Sequence, residues 1–154
     1  MLKYVEDSLL TSVFFGPQGF QLFKAEDEQK AAQVKFSCED SWNKDWFVVG
    51  IDTELGDPYL IKQNNEDAHV YTAVFDGVSW SLVPVSHTIH SFIECLTRLQ
   101  HLGSQKSELF VPDETTISDS VLLNDLEEQL IKTSQCEEFW QQFFVCYKDW
   151  LVEE

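Results

Sequence analysis

Residues 46–62 read WFVVGIDTELGDPYLIK, and this stretch decides the fold. Its opening, 46–51, is an almost continuous apolar run, which is the pattern of a strand covered on both faces of a sheet. The segment 52–57 has the composition of a turn, and 58–62 returns as a second strand. The centre of the chain therefore predicts two neighbouring strands joined by an acidic turn.

A β-hairpin is predicted directly after this stretch. Residues 69–75 (HVYTAVF) are rich in β-branched and aromatic side chains, as strands are. Asp76-Gly77 is a typical two-residue hairpin turn, and 78–85 (VSWSLVPV) alternates as the partner strand. Before the central stretch, the pattern predicts a strand at 19–25, one to three helical turns at 26–33 and a further strand at 34–37.

Helices dominate the rest of the chain. Ser86 is the predicted N-cap of a first helix, and Gly103 is predicted to end it at the C′ position. Residues 104–117 read as a linker, and a second helix follows. Ser134 and Glu137 predict a capping box for a third helix. The apolar positions with helical spacing in these helices are Ile89, Phe92, Ile93, Leu96, Leu99, Leu122, Leu126, Leu130, Phe139, Phe143, Tyr147 and Trp150.

The order of these elements, strands first and helices last, predicts the fold class. It favours an α+β domain with an antiparallel sheet of about five or six strands packed with helices, two of them extra helices at the C-terminus. The length of 154 residues fits a single domain, 1–154. Its core is expected at about 19–103 and its C-terminal helical extension at about 118–152.

The charge of the chain bounds its partners. It has 10 Lys plus Arg against 27 Asp plus Glu, a formal net charge of −17. Such a field repels nucleic acid and anionic membranes and attracts basic proteins, although it also serves solubility. No run reaches the roughly 18 apolar residues of a membrane span. Glu6 and Asp7 interrupt the N-terminal apolar segment, so we expect no export signal and a cytoplasmic location.

Catalytic and metal motifs are missing from the sequence. His87 and His90 lie one helical turn apart, but no third ligand completes a metal site at helical spacing. On a helical wheel, the side chain of Cys95 points about 140° away from that of His90, which disfavours a Cys–His nucleophile. We therefore predict no catalytic residue, no metal and no cofactor. The cysteines without C-x-x-C spacing, expected to be free thiols, are Cys38, Cys95, Cys136 and Cys146.

The acidic turn admits a structural and a functional interpretation. Gly56 is expected at a positive-φ position, and Gly50 indicates a bulge or the close approach of another backbone. Asp57 is of the type that accepts backbone N–H groups in a turn. In the functional interpretation, the carboxylates of Asp52, Glu54 and Asp57 form part of a binding face on one exposed loop.

The order of these motifs resembles the core signature of the SUKH superfamily. The resemblance is carried by 46–52, 56–61, 69–73 and Asp76-Gly77 with Trp80, followed by a helix that holds Ser91, Phe92 and Leu96. It covers roughly 20–102. That superfamily includes bacterial immunity proteins, which neutralise toxins, and fungal regulators of cell-wall synthesis. The family-signature positions expected to be structural are Trp46, Gly50, Gly56, Pro58 and Gly77.

The resemblance implies a non-enzymatic protein-binding function. The foremost hypothesis is an immunity-type inhibitor that binds a basic toxin domain, with nucleases among the candidates. A regulatory module with an endogenous partner and a small-molecule-binding or enzymatic domain are the alternatives. The candidate partner-binding residues are Asp52, Glu54, Asp57, Asp76 and Trp80.

Two departures from the family pattern concern the ends of the domain. Only about 18 residues precede the first predicted strand, and they lack the Leu-Pro pair and the Asn-Gly turn that the family has there. The chain adds two aromatic-rich helices after Gly103, which we expect to cover the sheet face that the missing opening would cover. The aromatic stripe of the last helix is interpreted as core, with a homodimer contact as the alternative.

Overall fold

Six strands form one antiparallel sheet within the residues that the computed structural model describes, 12–15, 18–38, 41–62, 67–102 and 120–152. Each strand pairs with the next one along the chain, so their order across the sheet equals their order in the sequence. The strands are β1 Ser12–Phe15, β2 Gln18–Leu22, β3 Phe47–Asp52, β4 Pro58–Ile61, β5 Val70–Phe75 and β6 Trp80–Ser86. The predicted α+β class is confirmed.

Helices cover both faces of this sheet. Those that the described residues contain are α1 Glu26–Ser37, α2 Ile89–Leu102, α3 Ser120–Ser134 and α4 Glu137–Val152. Helix α1 packs on one face, while α2, α3 and α4 pack on the other. The two C-terminal helices thus cover a sheet face, as expected. In the described part of the chain, no helix combines the length and the apolar character needed to traverse a bilayer.

Strands β3 and β4 are buried on both faces, which explains the apolar run of the central stretch. Val48 and Leu60 point to the α1 side, while Val49 and Ile61 point to the three-helix side. Full burial of a side chain of this size stabilises the fold by about 1.5–3 kcal/mol. The aromatic stripe of α4 is core: its buried members on the three-helix side are Trp140, Phe143, Phe144 and Tyr147.

A cluster of tryptophans fills the smaller core under α1. The ring of Trp42 stacks on Phe36 with a centroid distance of 5.5 Å. It also makes edge contacts with Trp46 at 4.9 Å and with Trp80 at 5.2 Å. Offset and edge-to-face arrangements of this kind are favoured by the quadrupoles of the rings. Trp140, by contrast, is fully buried in the larger core on the other face.

Gly50 of β3 pairs with Leu22 of β2, where the two backbones leave no room for a side chain. The register of β3 against β4 shifts between Val48 and Gly50, which is the predicted bulge. A Cβ atom on Gly50 would lie 2.5 Å from the carbonyl oxygen of Gln21, a backbone atom that no rotamer change can move away. Both predictions for this glycine are therefore confirmed.

The strand predicted at 34–37 is wrong, because α1 continues to Ser37. Its glutamines bond the backbone of β3 beyond the end of β2: Val48 donates its N–H to Gln33 Oε1 at 2.9 Å, and its carbonyl accepts Gln29 Nε2 at 3.2 Å. Phe36 lies two turns after Gln29 and is buried on the same side of the helix. These contacts favour a continuous helix over an isolated strand.

The predicted cap of α2 is wrong by two residues. Ser86 is the last residue of β6, and α2 begins at Ile89. Thr88 is the cap: its Oγ1 accepts the N–H of Ser91 at 3.0 Å, and the Oγ of Ser91 accepts the N–H of Thr88 at 3.1 Å. This reciprocal pair satisfies two N–H groups, as a capping box does.

The predicted capping box at the start of α4 is also wrong. Ser134 ends α3, and its Oγ accepts the N–H of Cys136 at 3.1 Å. Gln135 takes a φ of 60° between the two helices. Strand β1 had no counterpart among the predictions, and the predicted cap Gly103 and linker 104–117 lie outside the described residues.

We expect Gly50→Ala to lower the free energy of unfolding by about 1–3 kcal/mol, because the added methyl forces β2 and β3 apart. Urea unfolding followed by circular dichroism measures this change. Gly77→Ala is the control, since Gly77 has a φ of 97° but open space around its Cβ position. It is expected to cost about 1 kcal/mol through backbone strain alone. Wild-type stability of Gly50→Ala would contradict the close approach.

Candidate binding site

The turn between β3 and β4 is held by its own backbone. Asp52 donates its N–H to the carbonyl of Asp57 at 2.8 Å, and Gly56 donates its N–H to the carbonyl of Asp52 at 2.8 Å. Gly56 has a φ of 78°, which confirms its predicted positive-φ position. The Oδ1 of Asp52 accepts the N–H of Glu54 at 2.9 Å. Asp52 is thus the carboxylate that accepts backbone N–H in this turn, and Asp57 contributes its main-chain carbonyl.

The acidic turn is fixed against β2, and a cleft opens beside it. Thr53 donates its N–H to the carbonyl of Gly19 at 3.0 Å, which ties the turn to the start of β2. The cleft has a volume of about 540 Å³ and lies between this turn, the sheet and α4. We call it the acidic cleft. Its apolar lining consists of Phe20, Leu55, Tyr59, Val74, Val83, Phe139, Phe143 and Val145.

Part of this apolar lining faces solvent. Leu55 is 73% exposed, Val145 is 49% exposed and Val74 is 45% exposed. They belong to the turn, to α4 and to β5 respectively, so three separate elements bring apolar side chains to one opening. Scattered single apolar residues are normal on a protein surface, whereas a group around a cleft indicates a binding surface.

The polar lining of the acidic cleft is strongly biased in charge. Four carboxylates line it, those of Asp52, Glu54, Asp57 and Glu138, and no described lining residue is Lys, Arg or His. The structure therefore brings together three of the five predicted partner-binding residues and adds Glu138 from α4. Low-dielectric walls concentrate the field of such a group.

Partial burial shifts the titration of the turn carboxylates. Burial raises the pKa of Asp52, against the opposing effect of the N–H groups of Glu54 and Leu55. Burial and then the negative charge of Asp52 raise the pKa values of Glu54 and Asp57. Burial, followed by the charges of Asp52 and Asp57, also raises the pKa of Tyr59 well above its ordinary value. The empty cleft is thus an environment that disfavours further negative charge.

Gln18 links the two walls of the acidic cleft. Its Nε2 donates to the carbonyl of Phe143 at 3.2 Å, which connects β2 to α4. Its Oε1 is buried and has no hydrogen-bond partner in the part of the chain that the structure describes. Leaving a buried acceptor unpaired costs free energy, and with its accessible surface below 1 Å² this oxygen is closed to a ligand in the cleft.

Asp76 and Trp80, the other two predicted partner-binding residues, lie elsewhere. Asp76 is exposed in the β5–β6 turn, where its Oδ1 accepts the N–H groups of Ser79 and Val78, each at 2.8 Å. Gly77 in the same turn has the φ of 97° that a hairpin requires. Trp80 packs on the α1 side of the sheet, opposite the cleft. The structure thus does not join these two residues to the acidic turn.

The family-signature positions have structural surroundings. Trp46 packs against Trp42 in the smaller core. Pro58 is buried at the start of β4, opposite Ile51 of β3. Together with Gly56, they shape the strand pair and its turn and expose little side-chain surface for a partner.

Sequence reasoning missed the wall that β2 and α4 contribute. The acidic cleft is lined on one side by Gln18 of β2 and on the other by Glu138, Phe139 and Val145 of α4. These two segments lie about 120 residues apart in the sequence. The available signal was the width of the apolar stripe on α4, which is broader than one buried face needs. That width does not tell which edge of the stripe borders a cleft.

Cys95 lies in the core, and His87 lies beside His69. Cys95 is fully buried and donates its Sγ hydrogen to the carbonyl of Leu130 at 3.7 Å. Burial raises its pKa to about 12, which disfavours the reactive thiolate. The ring of His87 lies 4.8 Å from that of His69. Among the described residues, no three His, Cys, Asp or Glu side chains converge as metal ligands.

No protein-family model, curated protein or solved structure matches this chain. The fold and the site describe an α+β domain with an acidic, partly apolar cleft. The SUKH resemblance stays a prediction from the sequence.

We expect Asp57→Asn and Asp76→Asn to change thermal stability in opposite directions. Because the folded state raises the pKa of Asp57, this side chain contributes to stability only while it is protonated, below its unfolded-state pKa. That contribution is lost as the pH rises through the folded-state pKa, and at neutral pH the ionised carboxylate disfavours the folded state. Asp57→Asn should therefore raise the melting temperature at about pH 7, with a difference that vanishes near about pH 3.

The pKa shift of Asp76 has the opposite sign to that of Asp57. The N–H groups of Ser79 and Val78 lower its pKa, so its contribution is present above the unfolded pKa and is lost as the pH falls through the folded pKa. Asp76→Asn should lower the melting temperature at about pH 7 and have less effect in acid. Circular dichroism melts across this pH range give both values, and shifts of equal sign at neutral pH would contradict this electrostatic description.

Proposed function

We propose that this chain is a non-enzymatic protein-binding domain, an immunity-type inhibitor that neutralises a basic toxin domain by binding it. The observation that carries the proposal is the acidic cleft, in which four carboxylates border an apolar lining that is partly open to solvent. The SUKH resemblance of roughly residues 20–102 supports the immunity assignment, and the cleft supports protein binding.

The composition of the acidic cleft suits a protein partner. Protein interfaces combine apolar anchors in a central pocket with a polar rim. Leu55, Val74 and Val145 offer exposed apolar surface at the opening, and Glu54 and Glu138 are exposed carboxylates beside them. A partner that covers this opening buries the apolar side chains and pairs the carboxylates with its own cations.

The net charge of −17 supports a basic partner. A field of this sign raises the association rate of a positively charged protein and repels acidic competitors. Toxins that are nucleases carry basic grooves for phosphate groups, and clustered carboxylates resemble a phosphate array in charge. An inhibitor with this surface would compete with nucleic acid for such a groove.

A regulatory module with an endogenous partner remains the alternative within the same fold. It would use the same cleft but would have no toxin gene beside its own. The gene next to this one therefore separates the two functions.

A small-molecule site is the second candidate, and the size of the cleft favours it. A volume of about 540 Å³ lies within the range of ligand pockets. Catalysis by paired carboxylates needs one pKa raised and the other kept low. Here burial raises the pKa values of Asp52, Glu54 and Asp57 in the same direction, which favours binding over acid–base catalysis.

Co-expression with the product of the neighbouring gene tests the proposed function. We expect this chain to rescue growth and to co-purify with that product. The double variant Glu54→Gln/Glu138→Gln should weaken the complex about fivefold, since exposed ion pairs contribute about 0.2–1 kcal/mol each. The control Glu28→Gln/Glu128→Gln removes the same charge from exposed positions outside the cleft and should bind like the wild type. Failure to rescue and to bind would reject the immunity function.

The association rate should also depend on salt. We expect it to fall as the ionic strength rises past about 0.1 M, where the Debye length is about 10 Å. Stopped-flow mixing of the two purified proteins measures this rate. A rate that does not change with salt would show that the acidity of the chain serves solubility alone.

A further inference from the structure

We infer that the acidic cleft takes an arginine side chain of the partner protein, with the guanidinium at the carboxylates and the methylene stem along the aromatic lining. This inference rests on the proposed protein-binding function and names the chemistry that the cleft recognises. It follows from the hydrogen-bonding capacity that the lining leaves unused, from the aromatic surface and from the charge.

The unused hydrogen-bonding capacity of the acidic cleft is that of acceptors. The donors of several lining residues are already engaged: Thr72 Oγ1 donates to the carbonyl of Pro58 at 3.1 Å, and Gln141 Nε2 donates to Glu137 Oε1 at 2.8 Å. Gln142 Nε2 donates to the Sγ of Cys146 at 3.4 Å.

Acceptors, in contrast, remain available on two walls. The carboxylate of Asp57 comes from the acidic turn and that of Glu138 from α4. A ligand that matches this set must bring several donors and a positive charge. The negative charge of the lining disfavours an anion.

Arginine matches these acceptors better than lysine does. Its planar head carries five N–H donors and is weakly hydrated, so it can bond to acceptors on more than one wall at a small desolvation cost. Lysine brings a compact and strongly hydrated charge. The acceptors of this cleft lie on separate elements, which favours the head with more donors.

The aromatic lining provides a surface for the stem and the head of that arginine. Phe139 is partly buried and makes an edge contact with the buried ring of Tyr59, with a centroid distance of 6.3 Å. Guanidinium groups stack on aromatic faces, and methylene stems cover apolar surface. The chain does not fill the cleft with an arginine of its own, because its single arginine, Arg98, bonds to Gln129 and Glu94.

The carboxylates of the acidic turn make this binding sensitive to pH. Their pKa values are raised in the empty cleft, so protonation removes negative charge at a higher pH than for ordinary carboxylates. A bound guanidinium favours the charged carboxylates and releases the protons. Affinity should therefore fall on acidification, beginning above the usual carboxylate range. The other titratable groups at the cleft are Glu54, Glu138, Tyr59 and Cys146.

Amide-resolved NMR titration with defined peptides tests the inference. The probe is acetyl-Leu-Arg-Leu-amide at low salt. The control peptide has citrulline in place of arginine, which keeps the shape of the side chain but removes its charge. We expect the arginine peptide to shift the resonances of Gln18, Glu54 and Phe139 and to bind about tenfold more tightly than the citrulline peptide. Equal binding of the two peptides, or shifts that avoid these residues, would overturn the inference.

Two further probes decide between the possible cations. A lysine peptide should bind several times more weakly, and equal binding would overturn the choice of arginine. 1-Butylguanidine carries the same head group and the same single charge as a free small molecule. If 1-butylguanidine bound as tightly as the peptide, the occupant would be a small cation and the assignment to a partner side chain would fail.

Charge variants place the binding in the acidic cleft. Asp57→Asn/Glu138→Gln should weaken the arginine peptide about tenfold. The control Glu28→Gln/Glu128→Gln, with the same loss of charge, should leave its affinity unchanged. Equal weakening by both variants would mean that net charge alone attracts the peptide, which overturns the site.

The outcomes separate this inference from the proposed function. Suppose that the neighbouring gene product binds, that substitutions in the cleft abolish this binding, and that the arginine peptide does not bind. Protein binding then stands, and the arginine assignment fails. If the peptide titrates the cleft while the gene product does not bind, the cationic chemistry of the cleft stands and the immunity function fails.

Discussion

The close approach of two backbones at Gly50 is the constraint on which the rest of the structure depends. The carbonyl of Gln21 occupies the space of a side chain there, so β2 and β3 can pair at this distance only with glycine. The adjacent bulge shifts the register of β3 against β4. Strand β3 ends at Asp52, two residues after Gly50, where Asp52 pairs with Phe20 of β2 and the acidic turn begins.

The same sheet separates two layers with different tasks. On the α1 side, β2 ends early, and the amides of Gln29 and Gln33 complete the hydrogen bonds of β3. On the other side, α4 packs its aromatic face on Phe20 and leaves a cleft where its exposed edge diverges from the acidic turn. The first layer stabilises the strand pair, and the second holds the carboxylates near apolar surface. The site therefore depends both on the local geometry of the acidic turn and on the packing of α4 against the sheet.

Local patterns made much of the fold predictable. The apolar run of the central stretch, the Asp76-Gly77 hairpin and the positive φ of Gly56 each depend on neighbours in sequence. One wrong prediction falls where distant contacts decide, since 34–37 is helical because α1 bonds to β3. The caps of α2 and α4 were wrong because local hydrogen bonds of Thr88 and Ser134 set those helix ends. For the site, the turn carboxylates were predictable, whereas Glu138 and Gln18 were not, since the docking of α4 on β2 has no signature in sequence.

The described tryptophan side chains are distributed unevenly between the two cores, so fluorescence and circular dichroism report on different layers of the molecule. Three of the four tryptophans whose side chains are described, Trp42, Trp46 and Trp80, share the small core under α1, and Trp140 lies alone on the other face. Intrinsic fluorescence will therefore report mainly on the α1 layer, while far-ultraviolet ellipticity is dominated by the three helices opposite. Coincidence of the two signals during denaturation becomes a direct test of whether the layers lose their structure together.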